Sequence, residues 1–347
     1  MSLHKTHTVI LASLMPLLGA CGDPGPSDVE AVDAAIVGGW AATTEQIFAT
    51  VEIRSAGAKS GFCSGVLISP SVVATAAHCA VVEHDEGDVY GAAPGTLRVV
   101  AGHLSSASAA PENVRIVIEV RIHEDYDHDF IMGRSRSGAG KGGIGSPNDL
   151  ALLFLSEPFD SVANAPMVSQ QDAEDLVRHG DLAYVAGYGV YDVERDLSGE
   201  LYISDAIIDV LGQRELLTRR PDQLGDSCFG DSGGPLYLPT DHGDILVGLV
   251  SRGRSDVPND CGDGGVYTML SAYLPWIEHA AGKRLAPRIP PDSIAIAFRP
   301  DGQEYVPPTS ASLERVQSCA ATRTTQVPGF IWVVTFAVLL ARRRRFA

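Results

Sequence analysis

With 347 residues, 45% of them hydrophobic, the chain can hold one large or two ordinary globular domains with a well-buried core. A formal net charge of -17, with the one dense basic run confined to Arg342–Arg345, argues against a phosphate-binding surface and so against nucleic acid as a partner. Six cysteines in a chain that begins with a leader-like stretch suggest an oxidising compartment.

Residues 1–20 carry Lys5 in a short polar stretch and then an apolar run from Val9 to Ala20, too short for a membrane span, which reads as an export signal. It ends in Leu18-Gly-Ala-Cys21, similar to a bacterial lipobox whose cysteine is lipidated; an ordinary cleaved leader is the alternative. Residues 21–35 are rich in Gly, Pro, Asp and Ala and read as a tether or pro-segment.

From Ile36 the texture changes to short β-branched and apolar runs: 49–53, 65–68, 72–76, 97–101, 114–122, 150–155, 182–186, 203–210, 236–238, 245–250 and 265–269. Such runs between turn residues predict a mainly antiparallel all-β protein, either a sandwich or a pair of barrels. Ser271–Ala281 reads as a closing helix that turns Leu274 and Ile277 inward, and Gly282 ends it. The domain therefore spans 36–282. Residues 283–326 form a proline-containing stalk, and 327–347 an apolar segment followed by four arginines, either a cleaved sorting signal or an anchor.

Chemistry concentrates in Asp226-Ser-Cys-Phe-Gly-Asp-Ser-Gly-Gly-Pro-Leu236. A serine hydroxyl is a weak nucleophile at neutral pH and needs a base, a group that orients the base, and donors for the oxyanion it creates. Glycines on both sides of Ser232 allow a sharp turn that presents it. The base should be a histidine far away in sequence, and His78 stands among the small residues of Ala74-Thr-Ala-Ala-His-Cys79. The orienting acid should precede an apolar strand, as Asp149 does in Asn148-Asp-Leu-Ala-Leu-Leu153. Drawn inward, that carboxylate would need partners, which the His78 N–H and the Ser251 hydroxyl can supply.

Taken together, Ile36-Val-Gly-Gly39, Thr75-Ala-Ala-His-Cys79, Asn148-Asp-Leu-Ala-Leu152 and Gly230-Asp-Ser-Gly-Gly-Pro235 resemble the trypsin-like, chymotrypsin-fold serine endopeptidases, here of a bacterial secreted type. The resemblance implies two packed six-stranded antiparallel β-barrels with a C-terminal helix. It implies His78, Asp149 and Ser232 as a catalytic triad and the N–H groups of Gly230 and Ser232 as an oxyanion hole. It further implies a zymogen, switched on when an activating protease frees Ile36 to pair with Asp231. Val32-Asp-Ala-Ala35 departs from the usual basic cleavage site, so the activator should be a protease that accepts small residues.

Asp226, six residues before the nucleophile, matches the pocket floor of members that cut after Arg or Lys, with Ser251 beside the pocket and Gly253 and Gly265 in its walls. By the same resemblance Cys63 pairs with Cys79 and Cys228 with Cys261. Relatives carry further bridges, and without them residues 194–224 are expected to be looser. Arg252 stands where an aromatic is usual. With Arg254 it is read either as a cation beside the cleft that favours acidic or small substrate residues, or as a solvated surface charge. Phe130–Ser146 is an insertion that gates the cleft, offers a self-cleavage site at Arg134, Arg136 or Lys141, or is inconsequential. Ser105–Val114 offers only Glu112 as a carboxylate, so no metal is implied, nor any organic cofactor.

The expected partners are protein or peptide substrates and the activating protease, with membrane attachment through Cys21 or the C-terminal segment. The expected location is the cell envelope, the cell surface or the medium. A protease of the same fold with broader specificity and a non-catalytic surface binding protein are the alternative functions.

Overall fold

Alternation along an antiparallel strand buries one face, and a run of such strands removes its edges by closing into a ring. The computed structural model describes residues 39–46, 49–84, 88–134, 143–219, 225–240, 243–259, 261–283 and 285. The leader, Cys21, the tether, Ile36, Arg136, Lys141, the stalk and the C-terminal segment lie outside them.

The first ring comprises β1 (Thr50–Ser55), β2 (Cys63–Ser69), β3 (Val72–Thr75), β4 (Leu97–Ala101), β5 (Val114–Ile122) and β6 (Ala151–Leu155). They close in the order β1-β2-β3-β6-β5-β4, every pair antiparallel. The second comprises β7 (Leu182–Gly187), β8 (Tyr202–Leu211), β9 (Glu215–Arg219), β10 (Pro235–Thr240), β11 (Gly243–Gly253) and β12 (Gly265–Met269). Pairing of β8 with β9 closes it in the order β7-β8-β9-β12-β11-β10, the same path as the first. Of the two architectures the hydrophobic runs allow, the fold is the pair of six-stranded barrels.

Strand β9 is the element that the runs do not announce, and it gives residues 215–219 of the stretch expected to be looser a place in the barrel wall. Its only apolar pair is Leu216–Leu217, yet Glu215, Leu216, Leu217 and Thr218 are all buried and the strand pairs on both edges. Polar residues hold this interior position because each finds a partner, as described below.

Among the described residues three α-helices decorate the barrels. α1 (His128–Ile131) opens the insertion, with Asp127 Oδ1 accepting the Phe130 N–H at 2.9 Å. α2 (Gln170–Leu176) is capped by Ser169. The closing segment is a 3-10 turn over Leu270–Tyr273 that runs into α3 (Leu274–Ala281), with Leu274 and Ile277 buried as expected. Gly282 ends α3 in the left-handed conformation at φ 66°, where a side chain would be strained. Among the described residues no helix is long and apolar enough to cross a membrane.

Candidate active site

The site lies between the barrels, and both contribute to it. After β3 the chain makes a 3-10 turn over Ala77–Cys79, which carries His78. The disulfide Cys63–Cys79 ties this turn to the start of β2. Asp149 enters two residues before β6, and its backbone is set by Asn148, which sits at φ 52°. A non-glycine residue holds that conformation only when its surroundings over-determine it. Here the Asn148 side chain donates to the carbonyls of Asp125 (2.8 Å) and Ser146 (3.1 Å) and accepts from Tyr273 Oη (3.0 Å) and Arg214 Nη1 (2.5 Å).

Asp149 is thereby aimed at His78. Its Oδ1 accepts the His78 backbone N–H at 3.0 Å, and its Oδ2 faces His78 Nδ1 at 2.9 Å. From the second barrel, Ser251 Oγ donates to Oδ2 at 2.7 Å and Thr268 Oγ1 to the Asp149 carbonyl at 3.0 Å. Burial pushes the Asp149 carboxyl up, but the charge and hydrogen bond of His78 and the donors around it outweigh burial and hold it below its ordinary range. Burial lowers the imidazole, and the Asp149 charge and hydrogen bond raise it further than burial lowers it, with Arg252 acting against the rise. An ionised Asp149 places the proton of neutral His78 on Nδ1 and leaves Nε2 as the free base.

Ser232 arrives on the turn before β10. Among the described residues its Oγ makes no hydrogen bond, but the turn itself is pinned to the first barrel. The Ser64 N–H donates to the Ser232 carbonyl at 2.9 Å, Ser64 Oγ donates to the Gly230 carbonyl at 3.0 Å, and Cys79 Sγ lies 3.5 Å from the Ser232 carbonyl. Gly233 makes this approach possible: at φ 77°, a Cβ there would fall 2.0 Å from Thr75 Oγ1. The N–H groups of Gly230 and Ser232 donate to no described residue, whereas those of Gly233 and Gly234 are used, by the carbonyls of Val250 (2.7 Å) and Asp231 (2.7 Å). Two unused donors therefore stand beside the serine.

Two acids flank this turn, both 0% exposed. Asp231 accepts the N–H groups of Gly189 (2.8 Å) and Cys228 (2.9 Å), and burial pushes its carboxyl up to about 7. Asp226 accepts Thr218 Oγ1 at 2.5 Å, the Ser227 N–H at 2.6 Å and the Tyr267 hydroxyl. Burial raises its carboxyl although these donors oppose the rise. Gly265 lies directly over it, since a Cβ there would stand 3.5 Å from Asp226 Oδ1, and Gly253 pairs with Gly265 in register. Cys228 is bonded to Cys261.

Arg252 is not the solvated surface charge that is one reading of its sequence context. Its side chain is 10% exposed and forms a two-pronged ion pair with Glu215, itself 1% exposed, at 2.6 and 2.9 Å. Arg254 pairs with Asp209 and Asp256 at 2.7 and 2.6 Å. Arg134, proposed for self-cleavage, is engaged by Glu83 and Asp129. The grouping of Cys63, His78 and Cys79 is no metal site, because the two sulfurs are bonded to each other.

Sequence reasoning passes over Ser64, Thr218, Glu215 and Tyr267. Only Tyr267 has a local signal, standing two residues after Gly265, the residue matched to the pocket wall. A family model described as "Trypsin" matches residues 36–277. The chain is 27% identical over 265 residues to ovochymase of Halocynthia roretzi, a stretch that covers 71% of this chain and 14% of that protein. It is 28% identical over 272 residues to trypsin epsilon of Drosophila erecta (72% of this chain, 89% of that one). It is 29% identical over 251 residues to tryptase of Mus musculus (64% and 79%).

Proposed function

Because the chain belongs to the trypsin family of serine endopeptidases, we propose that it hydrolyses peptide bonds of proteins or peptides after Arg or Lys through a Ser-His-Asp triad. The observation that supports the chemistry is the run of hydrogen bonds from Ser251 through Asp149 to His78, set against a serine turn with two unused N–H donors. His78 Nε2 takes the Ser232 hydroxyl proton as Oγ attacks the scissile carbonyl, and the N–H groups of Gly230 and Ser232 receive the oxyanion. His78 then gives that proton to the leaving amine, which departs as the acyl-enzyme forms. Water, deprotonated by the same nitrogen, releases the acid. Asp149 keeps the imidazole in the required tautomer throughout.

The preference for Arg or Lys rests on Asp226. It is a buried carboxylate whose hydrogen-bond partners among the described residues are all neutral donors, beside a glycine that puts no side chain against it. A guanidinium or ammonium reaching that depth gains a charge-assisted hydrogen bond that an uncharged side chain cannot. Asp231 suits the same logic for activation: an ammonium freed at Ile36 would relieve a carboxylate that burial now disfavours. We extend the proposal to the segments outside the described residues. The chain is exported by residues 1–20, of bacterial type and lipidated at Cys21, tethered through 21–35, activated by another protease cutting after Ala35, and followed by a stalk (283–326) and a removable or anchoring segment (327–347).

The test is turnover of Arg, Lys, Phe and Ala peptide amides by protein cut before Ile36, with and without Ser232→Ala. Cleavage of the Arg and Lys substrates that vanishes in the variant is expected, a loss of about 10⁶-fold. Preference for Phe or Ala overturns the pocket assignment. No turnover by the cut protein overturns the enzyme reading in favour of a binding protein.

A further inference from the structure

The hydrogen bonds that reach His78 do not begin at Ser251. Arg252 Nη1 donates to Ser251 Oγ at 3.2 Å while it also meets Glu215 Oε1, and Nη2 donates to Glu215 Oε2 and to the Gly143 carbonyl at 2.7 Å. The guanidinium carbon stands 5.1 Å from the centre of the Phe130 ring, and Glu215 Oε2 also accepts the Gly145 N–H at 2.6 Å. Both ends of the insertion thus grip one buried ion pair, and that pair touches the hydroxyl nearest the triad acid.

A hydroxyl has a single proton. Ser251 gives its proton to Asp149, so the only thing it can offer Arg252 is a lone pair, and the only thing Arg252 can offer in return is an N–H. The direction of every link is therefore fixed: Arg252 to Ser251, Ser251 to Asp149, with His78 Nδ1–H donating to the same Asp149 oxygen. We infer that Arg252 is a positioning residue for the acid–base pair, holding the Ser251 hydroxyl as a donor to Asp149 and placing a buried cation behind it, with Glu215 setting how much of that charge is felt.

This rests on the hydrolytic reading above and deepens it. The Arg252 charge works against Asp149 in setting the basicity of His78. Among the described residues the other titratable groups that face this pair are Tyr126 from the segment before α1 and Tyr273 before α3, both with hydroxyls raised by burial, Tyr273 to about 12, and so neutral near pH 7. Arg214 stands beyond Asn148 and over the Tyr273 ring.

The experiment measures Ser232-dependent kcat/KM against pH for cut protein carrying Arg252→Gln, Arg252→Lys or Glu215→Gln. Removing the cation should move the rising limb to higher pH by about half a unit to one unit; removing the anion should move it to lower pH; lysine should restore the original position. A limb that stays put, or moves the same way in both glutamine variants, overturns the inference. Arg252→Gln leaves Glu215 buried without its cation, so the double variant Arg252→Gln/Glu215→Gln keeps the test open if the single variant misfolds. The low-field Nδ1–H proton resonance of His78 in it should titrate at higher pH than in the parent, and an unchanged midpoint overturns the inference. That resonance reads His78 without turnover, so an inactive parent would refute the hydrolytic reading while the titration still decided this one.

Discussion

Among the described residues of the first barrel, each of the two deeply buried acids has a basic partner: Arg54 stands 2.5 Å from Glu52 and His78 2.9 Å from Asp149. In the second barrel, three acids near the cleft are buried as deeply, and among the described residues only Glu215 has a cation. Asp226 and Asp231 face hydroxyls and backbone N–H groups instead, and burial raises both. The strand path is the same in both barrels, so topology does not explain the difference. A carboxylate taken out of water without a counter-ion costs several kcal/mol, which a fold sustains at a place where a cation is to arrive. On the proposed reading Asp226 receives the cation of a substrate and Asp231 the cation of the new chain end. By the same proposal the first barrel would supply the machinery for moving protons and the second the sockets for recognising charge.

The comparison breaks most visibly at Asp226. Replacing it by Ser should lower kcat/KM on Arg and Lys amides by about 10⁴-fold while leaving Ala amides within a few-fold of the parent. If both substrate classes fall together, Asp226 supports the turn and is no socket.

Asp231→Asn probes the second socket through stability. The sign follows from its carboxyl, which stands at about 7 in the fold against an ordinary value near 3.8. A raised folded value means that stability is full below the unfolded value and is lost as pH rises through about 7, a loss on the order of 4 kcal/mol once Asp231 is ionised. Asparagine escapes this loss, but its amide nitrogen must face the Cys228 or the Gly189 N–H, a mismatch that costs roughly 2 kcal/mol. In protein not cut at Ile36 the variant should therefore be the less stable form near pH 4 and the more stable near pH 8, by about 2 kcal/mol each way. Urea unfolding at the two pH values measures it, and a difference of constant sign removes the argument that Asp231 awaits a cation. The cut variant should be inactive.

The first barrel has its own pH signature. Because Asp149 raises His78 on balance, kcat/KM should climb with pH through an apparent pKa above the ordinary imidazole value of about 6.5. Loss of activity as pH rises through that range would mean that the protonated imidazole is the working form.

How much of this was legible depended on whether a residue's role was local. His78, Asp149 and Ser232 stand in motifs whose neighbours fix their backbone, so letters such as Ala-Ala-His-Cys and Asn-Asp-Leu-Ala identify them. The barrel strands showed through wherever burial was achieved by apolar side chains. β9 was missed because Glu215 and Thr218 are buried by partners distant in the chain, Arg252 and Asp226, and a hydropathy pattern records neither. The same blindness misplaced Arg252: a sequence shows a cation and not what neutralises it. Ser64 is invisible for a related reason, since nothing marks one serine among many as the residue that joins two barrels.

That joint yields the smallest effect, and the one most specific to the comparison. Ser64 is fully buried on β2, and its hydroxyl donates to the Gly230 carbonyl while accepting the Tyr188 N–H at 3.0 Å. One first-barrel side chain thus holds two loops of the second barrel, including the peptide that orients a proposed oxyanion donor. Ser64→Ala leaves the Tyr188 N–H without its acceptor and should cost about 1–2 kcal/mol of stability. Ile53→Val, deep in the first-barrel core, should cost about 1 kcal/mol by lost packing alone. If the barrels divide the work as argued, the two variants part company in kinetics: kcat falls about 10-fold with KM little changed for Ser64→Ala, because the oxyanion donors are loosened, and stays at the parent value for Ile53→Val. Equal kcat in the two would reduce Ser64 to ordinary packing and leave the serine turn to be positioned by the second barrel alone.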